Sequence, residues 1–207
     1  MPDVADADRA RLVDRLRALI DATVAAAAPP AAFRDATAAV QRAVASLAPH
    51  VPTPRPPRYP SLGADAAHPH DVMPFDPVMG PLSPLAPPLR VEVVGDVAVG
   101  RVRFGTPWEG PPGCVHGGVL ALAFDQVLNV ANLAAGVAGP TVSLAVRFRK
   151  PTPLDADLRF EGRVVQRDER RVTSRGTVTV GDVVTAEAEG TFAVLTPERV
   201  LRLLDPA

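Results

Sequence analysis

The chain has 207 residues, enough for one compact domain or for one domain with an appendage, and its 47% hydrophobic and 22% charged residues are typical of a globular protein. Its 22 basic and 23 acidic side chains leave a net charge of -1, which argues against a nucleic-acid partner. The single cysteine excludes an internal disulfide, and no apolar run approaches the roughly 20 residues of a membrane span. Because the N-terminus is acidic, unlike a signal peptide, we expect a cytoplasmic protein without a membrane partner.

Proline divides the N-terminal part of the chain. Residues 5–48 have leucines at helical spacing, and a Pro-Pro pair interrupts them, which predicts two helices, the second over about 33–47. Residues 49–88 contain more than half of the 24 prolines, so we expect an extended arm there. Its scattered apolar residues predict that the arm packs along a surface. We therefore divide the chain into a helical extension (1–48), a proline-rich arm (49–88) and a domain (89–207).

The pattern from Leu89 onward predicts an α+β domain with one buried helix and about six antiparallel strands. A long apolar segment over about 116–135 favours the helix, since glycines and a proline follow it. The predicted strands are 90–94, 97–104, 141–148, 157–166, 171–180 and 183–195. Short turns between the last three predict an antiparallel meander, and a terminal helix is expected over 197–204.

An acidic residue interrupts the apolar helix segment. Asp125 has valine, leucine, alanine and phenylalanine as its sequence neighbours. Burial of an isolated carboxylate costs on the order of several kcal/mol, so Asp125 should be paired, protonated or functional. At about 100° per residue, Gly118, Asn129 and Asn132 share one helix stripe with it. Such a stripe is typical of a cleft or an interface, although a solvent-facing side gives the same pattern.

The same helix is predicted to begin at His116-Gly117-Gly118. The N–H groups of a first turn lack intrahelical partners, so this turn could stabilise an oxyanion, although Gly-Gly also occurs in ordinary turns. Eight residues separate Gly117 from Asp125, about 12 Å along a helix. Reacting atoms must approach within about 3 to 3.5 Å. Both residues can therefore act on one carbonyl only if two subunits of a two-fold dimer contribute them.

The stretch from Trp108 to Gly118, with Asp125 nine residues after His116, resembles the hotdog-fold acyl-CoA thioesterases. Within them it is most similar to the phenylacetate-pathway (PaaI-type) enzymes and to the thioesterase superfamily member 4 group. The likeness continues through residues 141–154 and covers about half of the chain. It implies a hotdog fold, in which an antiparallel sheet wraps a long helix, and a homodimer or a dimer of dimers.

The resemblance also implies roles for four residues. The aspartate after the His-Gly-Gly motif, Asp125, activates water or attacks the thioester. The next glycine after the histidine, Gly117, donates its N–H to the thioester oxygen, while His116 shapes that turn or contacts the substrate. The member 4 group has a threonine sixteen residues after the aspartate, beside the reacting water, and Thr141 stands at that place. No metal or redox cofactor is required.

Five further positions are candidates for binding the acyl-CoA substrate: Gly118, Asn129, Ser143, Arg147 and Arg149. The first two belong to the polar helix stripe. Period-two counting places the other three on one strand face with Thr141, where guanidinium groups could contact the phosphates of coenzyme A. A solvated strand end explains the arginines equally well.

Four side chains of metal-ligating types crowd the arm: His68, His70, Asp71 and Asp76. No helix or hairpin frame is predicted to fix them, so we expect no metal.

The sequence thus predicts an enzyme that hydrolyses an acyl-CoA to a free acid and coenzyme A. Two alternatives stay open, a non-catalytic acyl-CoA-binding hotdog protein and a hotdog enoyl-CoA hydratase or dehydratase. Aryl-acetyl, medium-chain and long-chain acyl groups are all compatible with the sequence. The helical extension could cap a substrate tunnel or extend a dimer interface.

Overall fold

A computed structural model gives the fold and describes residues 4–55, 69–87, 89–137 and 139–195. The helices are α1 (Val4–Ala25), α2 (Pro30–Leu47), α3 (Pro69–Val72) and α4 (Gly117–Ala134). The strands are β1 (Arg90–Val94), β2 (Val97–Val102), β3 (Thr141–Phe148), β4 (Leu158–Arg167), β5 (Arg171–Val180) and β6 (Val183–Ala193). Two short 3-10 helices span Ala48–His50 and Thr106–Trp108.

The six strands form one antiparallel sheet in the order β1-β2-β4-β5-β6-β3. This confirms the predicted α+β architecture with one central helix, and β4, β5 and β6 form the predicted meander. The predicted bounds of β1, β3 and β5 agree with the structure, while β2 and β6 end two residues earlier. The terminal helix expected over 197–204 lies outside the described residues.

The core lies between the sheet and α4. Phe124 of the helix is completely buried and packs edge-on against Phe160 of β4, with ring centroids 5.1 Å apart. Burial of one such side chain stabilises the fold by about 1.5 to 3 kcal/mol. Gly162 and Gly176 face each other on β4 and β5, and a Cβ on Gly162 would lie 3.0 Å from Leu128 Cδ2. Residues without a side chain therefore let the helix lie close to the sheet.

Among the described helices, α4 is long and apolar enough to span a membrane by length and composition, with 18 residues and a mean hydropathy of 1.3. Half of it is buried within the protein, against the sheet. The central helix of a folded domain meets the same two criteria, so this property follows from its place in the core.

The expectation of an extended arm is wrong for residues 69–87, which form α3 and a series of turns. Asp76 explains one of these turns, because its Oδ1 accepts hydrogen bonds from the N–H groups of Val78 (2.8 Å) and Met79 (2.9 Å). An aspartate that bonds to backbone groups two and three residues on closes a tight turn. The predicted packing along a surface is confirmed, since Met73, Val78 and Met79 belong to the core.

The helical extension is attached to the arm through α1. Val13 is buried, and the Arg17 guanidinium donates to the carbonyls of Gly80 (3.1 Å) and Ser83 (2.9 Å) in the arm. The second helix begins at Pro30, three residues before the predicted start, because proline is favoured at the first position of a helix. In α2, by contrast, none of the described residues is buried.

Candidate active site

The loop before α4 is held in one shape by backbone hydrogen bonds. The N–H of His116 donates to the Trp108 carbonyl at 2.9 Å, and the Val115 N–H donates to the Thr152 carbonyl at 2.8 Å. A Cβ on Gly110 would lie 2.7 Å from the Cα of His116, so glycine is needed where the two sides of the loop meet. These contacts fix the position at which the helix begins.

His116 caps the first turn of α4. Its backbone is extended (φ -60°, ψ 132°), and its Nδ1 accepts a hydrogen bond from the Gly118 N–H at 3.0 Å. An accepting Nδ1 assigns the proton of the neutral ring to Nε2. The structure thus gives His116 the turn-shaping part of its predicted role. Because the Gly118 N–H already donates to His116, Gly118 could contact the substrate only through its other atoms.

The N–H of Gly117, by contrast, has no acceptor among the described residues. Gly117 is the first residue of α4, where the helix dipole places partial positive charge. A free donor at this position is suited to an anionic oxygen. The backbone geometry therefore supports a binding place for a carbonyl or oxyanion at Gly117.

Asp125 and Thr141 are in direct contact. The Thr141 hydroxyl donates to Asp125 Oδ1 at 2.7 Å, joining the start of β3 to the middle of α4. Asp125 is half-buried in the single chain. A hydrogen bond to an ionised carboxylate is shorter and stronger than one between neutral groups. The contact engages Oδ1, whereas the second carboxylate oxygen has no donor among the described residues.

A register shift separates Thr141 from the strand positions that period-two counting grouped with it. Thr141 pairs with the buried Phe192, whereas Ser143 pairs with Thr191, and the shift lies between them. The extra residue of such a bulge exchanges the two faces of a strand. The predicted shared face is therefore wrong: Thr141 faces α4, whereas Ser143 and Arg147 face outward.

Arg149 follows the end of β3 and is bound to an acidic neighbour. Its Nη2 lies 2.8 Å from Glu187 Oε2. The hydrogen bond from Arg149 holds the pKa of the Glu187 carboxyl below its usual range, and the same bond raises the pKa of Arg149. Glu187 therefore competes with any phosphate for this guanidinium, although only Nη2 is in contact with Glu187. The predicted contact of Arg147 and Arg149 with coenzyme A stays a prediction.

The polar stripe of α4 ends at Asn129, which is half-buried and one turn beyond Asp125. Leu122, 39% exposed, shares this uncovered side of the helix. Asn132, placed on the same stripe by helical counting, is only 1% exposed, and its Oδ1 accepts from Ser174 Oγ at 2.5 Å. The prediction that Asn132 lines a cleft is wrong, because β5 covers that part of the helix.

Sequence reasoning missed Phe148, the last residue of β3. A Cβ on Gly117 would lie 3.0 Å from the Phe148 Cζ, so the ring stands directly beside the candidate oxyanion donor. Leu144 and Val146 precede it at period two on the strand face that packs against the core. That alternation was a signal that could have placed Phe148 next to the helix.

Two of the four metal-ligating side chains of the arm, His70 and Asp76, have backbone partners. His70 is held by two backbone groups, with Nδ1 3.0 Å from the Met79 carbonyl oxygen and Nε2 accepting from the Val91 N–H at 2.9 Å. Asp76 Oδ1 closes a turn, and His68 lies outside the described residues. In the ranges that the structure describes, no three His, Cys, Asp or Glu residues come close enough to share an ion.

Two pairs of residues are thus brought together: Thr141 with Asp125, and Phe148 with Gly117. The family model described as Thioesterase superfamily matches residues 112–187, which include all four. A crystal structure described as that of a thioesterase superfamily protein is 33% identical, covers 89% of this chain and 90% of its own, and has a TM-score of 0.79. The chain belongs to the thioesterase superfamily. The hotdog-fold thioesterase resemblance is confirmed.

This thioesterase-superfamily protein also aligns with more distant structures. A hypothetical thioesterase with coenzyme A from Streptococcus pneumoniae TIGR4 is 21% identical, over 52% of this chain and 85% of that chain, with a TM-score of 0.49. Zebrafish thioesterase superfamily member 2 is 15% identical, over 52% and 81%, with a TM-score of 0.48. No curated protein matches the chain.

The 33% identical relative shares more than the hotdog domain of this thioesterase-superfamily chain. Residues 89–207 make up less than two thirds of the sequence, whereas the alignment covers 89% of it. It therefore necessarily includes much of residues 1–88. Much of the extension and arm is consequently common to the two proteins.

Proposed function

We propose that the protein is an acyl-CoA thioesterase, which hydrolyses an acyl-CoA to a free acid and coenzyme A. The observation that carries this proposal is the Asp125 carboxylate, held by the Thr141 hydroxyl at 2.7 Å on the uncovered side of the central helix of a thioesterase-superfamily domain. Such a carboxylate is a suitable general base for water. A thioester is a reactive acyl group that needs no serine nucleophile.

In the proposed reaction, the thioester oxygen accepts the N–H of Gly117, and a water molecule lies between the carbonyl carbon and Asp125. The Thr141 oxygen, which donates its hydrogen to Asp125, has lone pairs that can accept from the same water. Asp125 takes the water proton as the C–O bond forms. The oxyanion then collapses, the C–S bond breaks, and the thiolate of coenzyme A receives the proton.

We further propose that two copies of the chain build each site. Gly117 and Asp125 are about 12 Å apart along one helix, too far for both to reach a single carbonyl. The position of β3 supports this proposal, because it is an edge strand of the sheet and, in the described chain, pairs only with β6. Val142 and Phe148 on this strand are 52% and 57% exposed, and unpaired edges of this kind bind other strands.

Pairing of β3 with its copy around a two-fold axis would complete the site. Antiparallel strands place the end of one beside the start of the other. The Phe148 end of β3, which contacts Gly117, would then lie beside the Thr141 end of the second copy, which holds Asp125. Two identical composite sites result, one at each end of the paired strands.

Release of free thiol from acyl-CoAs of different acyl groups tests the proposed activity. Wild type should turn over at least one of them, and Asp125→Asn should lower kcat by at least about 100-fold while keeping the dimer. Equal rates for the two proteins would exclude Asp125 as the base. Binding of acyl-CoA without turnover would instead favour a binding protein, and hydration of enoyl-CoA a hydratase. The cytoplasmic location stays a prediction.

A further inference from the structure

Phe148 lies on the strand face that packs against α4, but it is not part of the core. Leu144 and Val146 share this face and are partly buried against the core. Phe148 extends beyond them, to the N-terminus of α4, and is 57% exposed. The single chain therefore leaves more than half of this apolar side chain in contact with water, which is unfavourable.

The ring is directed at Gly117 by its tip. A Cβ on Gly117 would lie 3.0 Å from Cζ and 3.4 and 3.6 Å from the two Cε atoms of Phe148. The ring therefore stands in van der Waals contact with the backbone whose N–H has no acceptor among the described residues. An apolar group beside a donor excludes water on that side and strengthens its hydrogen bond to a developing oxyanion.

We propose that Phe148 is a specificity-determining residue of the thioesterase reaction, and that its ring packs against the acyl group of the substrate. The inference rests on the proposed function. The first carbons of the acyl group are attached to the carbonyl carbon, so they lie within a few ångströms of the oxygen that Gly117 binds. Aromatic rings pack favourably against aryl and alkyl carbons, which predicts a preference for acyl groups larger than acetyl.

The test compares kcat/KM for acetyl-CoA, hexanoyl-CoA and phenylacetyl-CoA in wild type and Phe148→Ala, measured by thiol release. We expect Phe148→Ala to lower kcat/KM about 10-fold for the two larger substrates and less than about 3-fold for acetyl-CoA. Phe148→Tyr, which keeps the ring, should retain the wild-type order of substrates. Val94→Ala is the control, because Val94 is also exposed but lies on β1, at the opposite edge of the sheet from β3, and it should change none of the three values.

Different failures of this experiment have different meanings. An equal loss for all three substrates would overturn the inference, since it indicates contact with the coenzyme A arm or a structural role. Unchanged values for Phe148→Ala would overturn it too. If Phe148→Ala does not fold, Phe148→Leu provides the same comparison with a smaller volume change. Absence of turnover by wild type would overturn the proposed function together with the inference, whereas the other results leave the proposed function standing.

Discussion

Thr141 donates its hydroxyl hydrogen to Asp125 Oδ1 at 2.7 Å, which links an edge strand to the central helix at the one point where their polar groups meet among the described residues. The bond fixes one carboxylate oxygen and leaves the other for water. Because Thr141 is the first residue of β3, the bond also connects the start of this strand to α4. This relationship makes Thr141 the positioning residue of the proposed base.

Removal of the hydroxyl should therefore lower kcat more than it raises KM. A hydrogen bond to a charged group contributes about 1.5 to 3 kcal/mol, which corresponds to roughly 10- to 100-fold in rate. We expect this loss in Thr141→Ala and near-wild-type kcat in Thr141→Ser, which keeps the oxygen. Steady-state thiol release from the best acyl-CoA gives both constants. An unchanged kcat in Thr141→Ala would show that Asp125 needs no such support.

The oxyanion donor can be tested by removing the N–H of Gly117. Proline is favoured at the first position of a helix, and the extended backbone of His116 suits a following proline, so Gly117→Pro should fold. We expect kcat to fall by about 10²- to 10³-fold, as for the loss of one oxyanion-hole donor. Gly117→Ala is the control, since it keeps the N–H and adds a Cβ 3.0 Å from the movable Phe148 ring. Equal losses in both variants would point to crowding instead of a lost donor.

A mixed dimer tests whether two copies share each site. Two differently tagged chains, one with Asp125→Asn and one with Gly117→Pro, are coexpressed and the heterodimer is purified. If each site combines Gly117 of one copy with Asp125 of the other, one site of the heterodimer is intact and the second carries both changes. We expect about half of the wild-type turnover per dimer, although both parent homodimers are inactive.

The control for this experiment pairs a wild-type chain with the Asp125→Asn chain. It should retain about half of the activity whether each site is shared between two chains or built within one chain. That result would show that the tags and the pairing do not inactivate the enzyme. Activity in this control but none in the doubly variant heterodimer would place Gly117 and Asp125 of the working site in one chain.

The local sequence pattern predicted most of the fold, and it singled out Gly117 and Asp125 of the candidate site. Alternation located β5, and the apolar run that follows His116 located α4. Alternation did not predict the strand face on which Thr141 lies. Its position relative to Asp125 came from the resemblance alone, because the register shift near Val142 exchanges the strand faces and has no signature in the alternation.

Two other differences arise from contacts between distant segments. Helical counting places Asn132 on the same side of α4 as Asp125, but Ser174 of β5 covers it. This contact depends on how the sheet curves around the helix. The arm was predicted as extended from its proline content. Its turn at Asp76 depends on which backbone groups that side chain reaches, although an Asp-Pro pair is itself a turn signal.

Arg17 should stabilise the attachment of α1 to the arm. Burial lowers the pKa of this guanidinium, Asp14 3.7 Å away raises it, and two carbonyls of the arm accept its hydrogens. Loss of these bonds should cost about 1 to 3 kcal/mol, so Arg17→Ala should lower Tm by several degrees. Arg15→Ala, an exposed position on the same helix, should leave Tm within about a degree. A thermal melt that shows no difference between the two variants would mean that α1 is held by apolar packing alone.

Asp168 should make the β4–β5 turn sensitive to acid. The N–H groups of Arg170 and then Arg171, each 2.8 Å from Oδ1, hold the pKa of this carboxyl below its ordinary value of 3.8. Because the pKa is lower in the folded state, ionised Asp168 stabilises the fold fully above that ordinary value, and the contribution is lost as the pH falls through the folded-state pKa. Urea unfolding of wild type and Asp168→Ala should therefore differ most near neutral pH and converge as the pH falls through the folded-state pKa, which lies below 3.8. Glu169→Ala, in the same turn, controls for surface charge, and a difference that persisted undiminished in acid would assign the effect of Asp168 to its uncharged turn geometry.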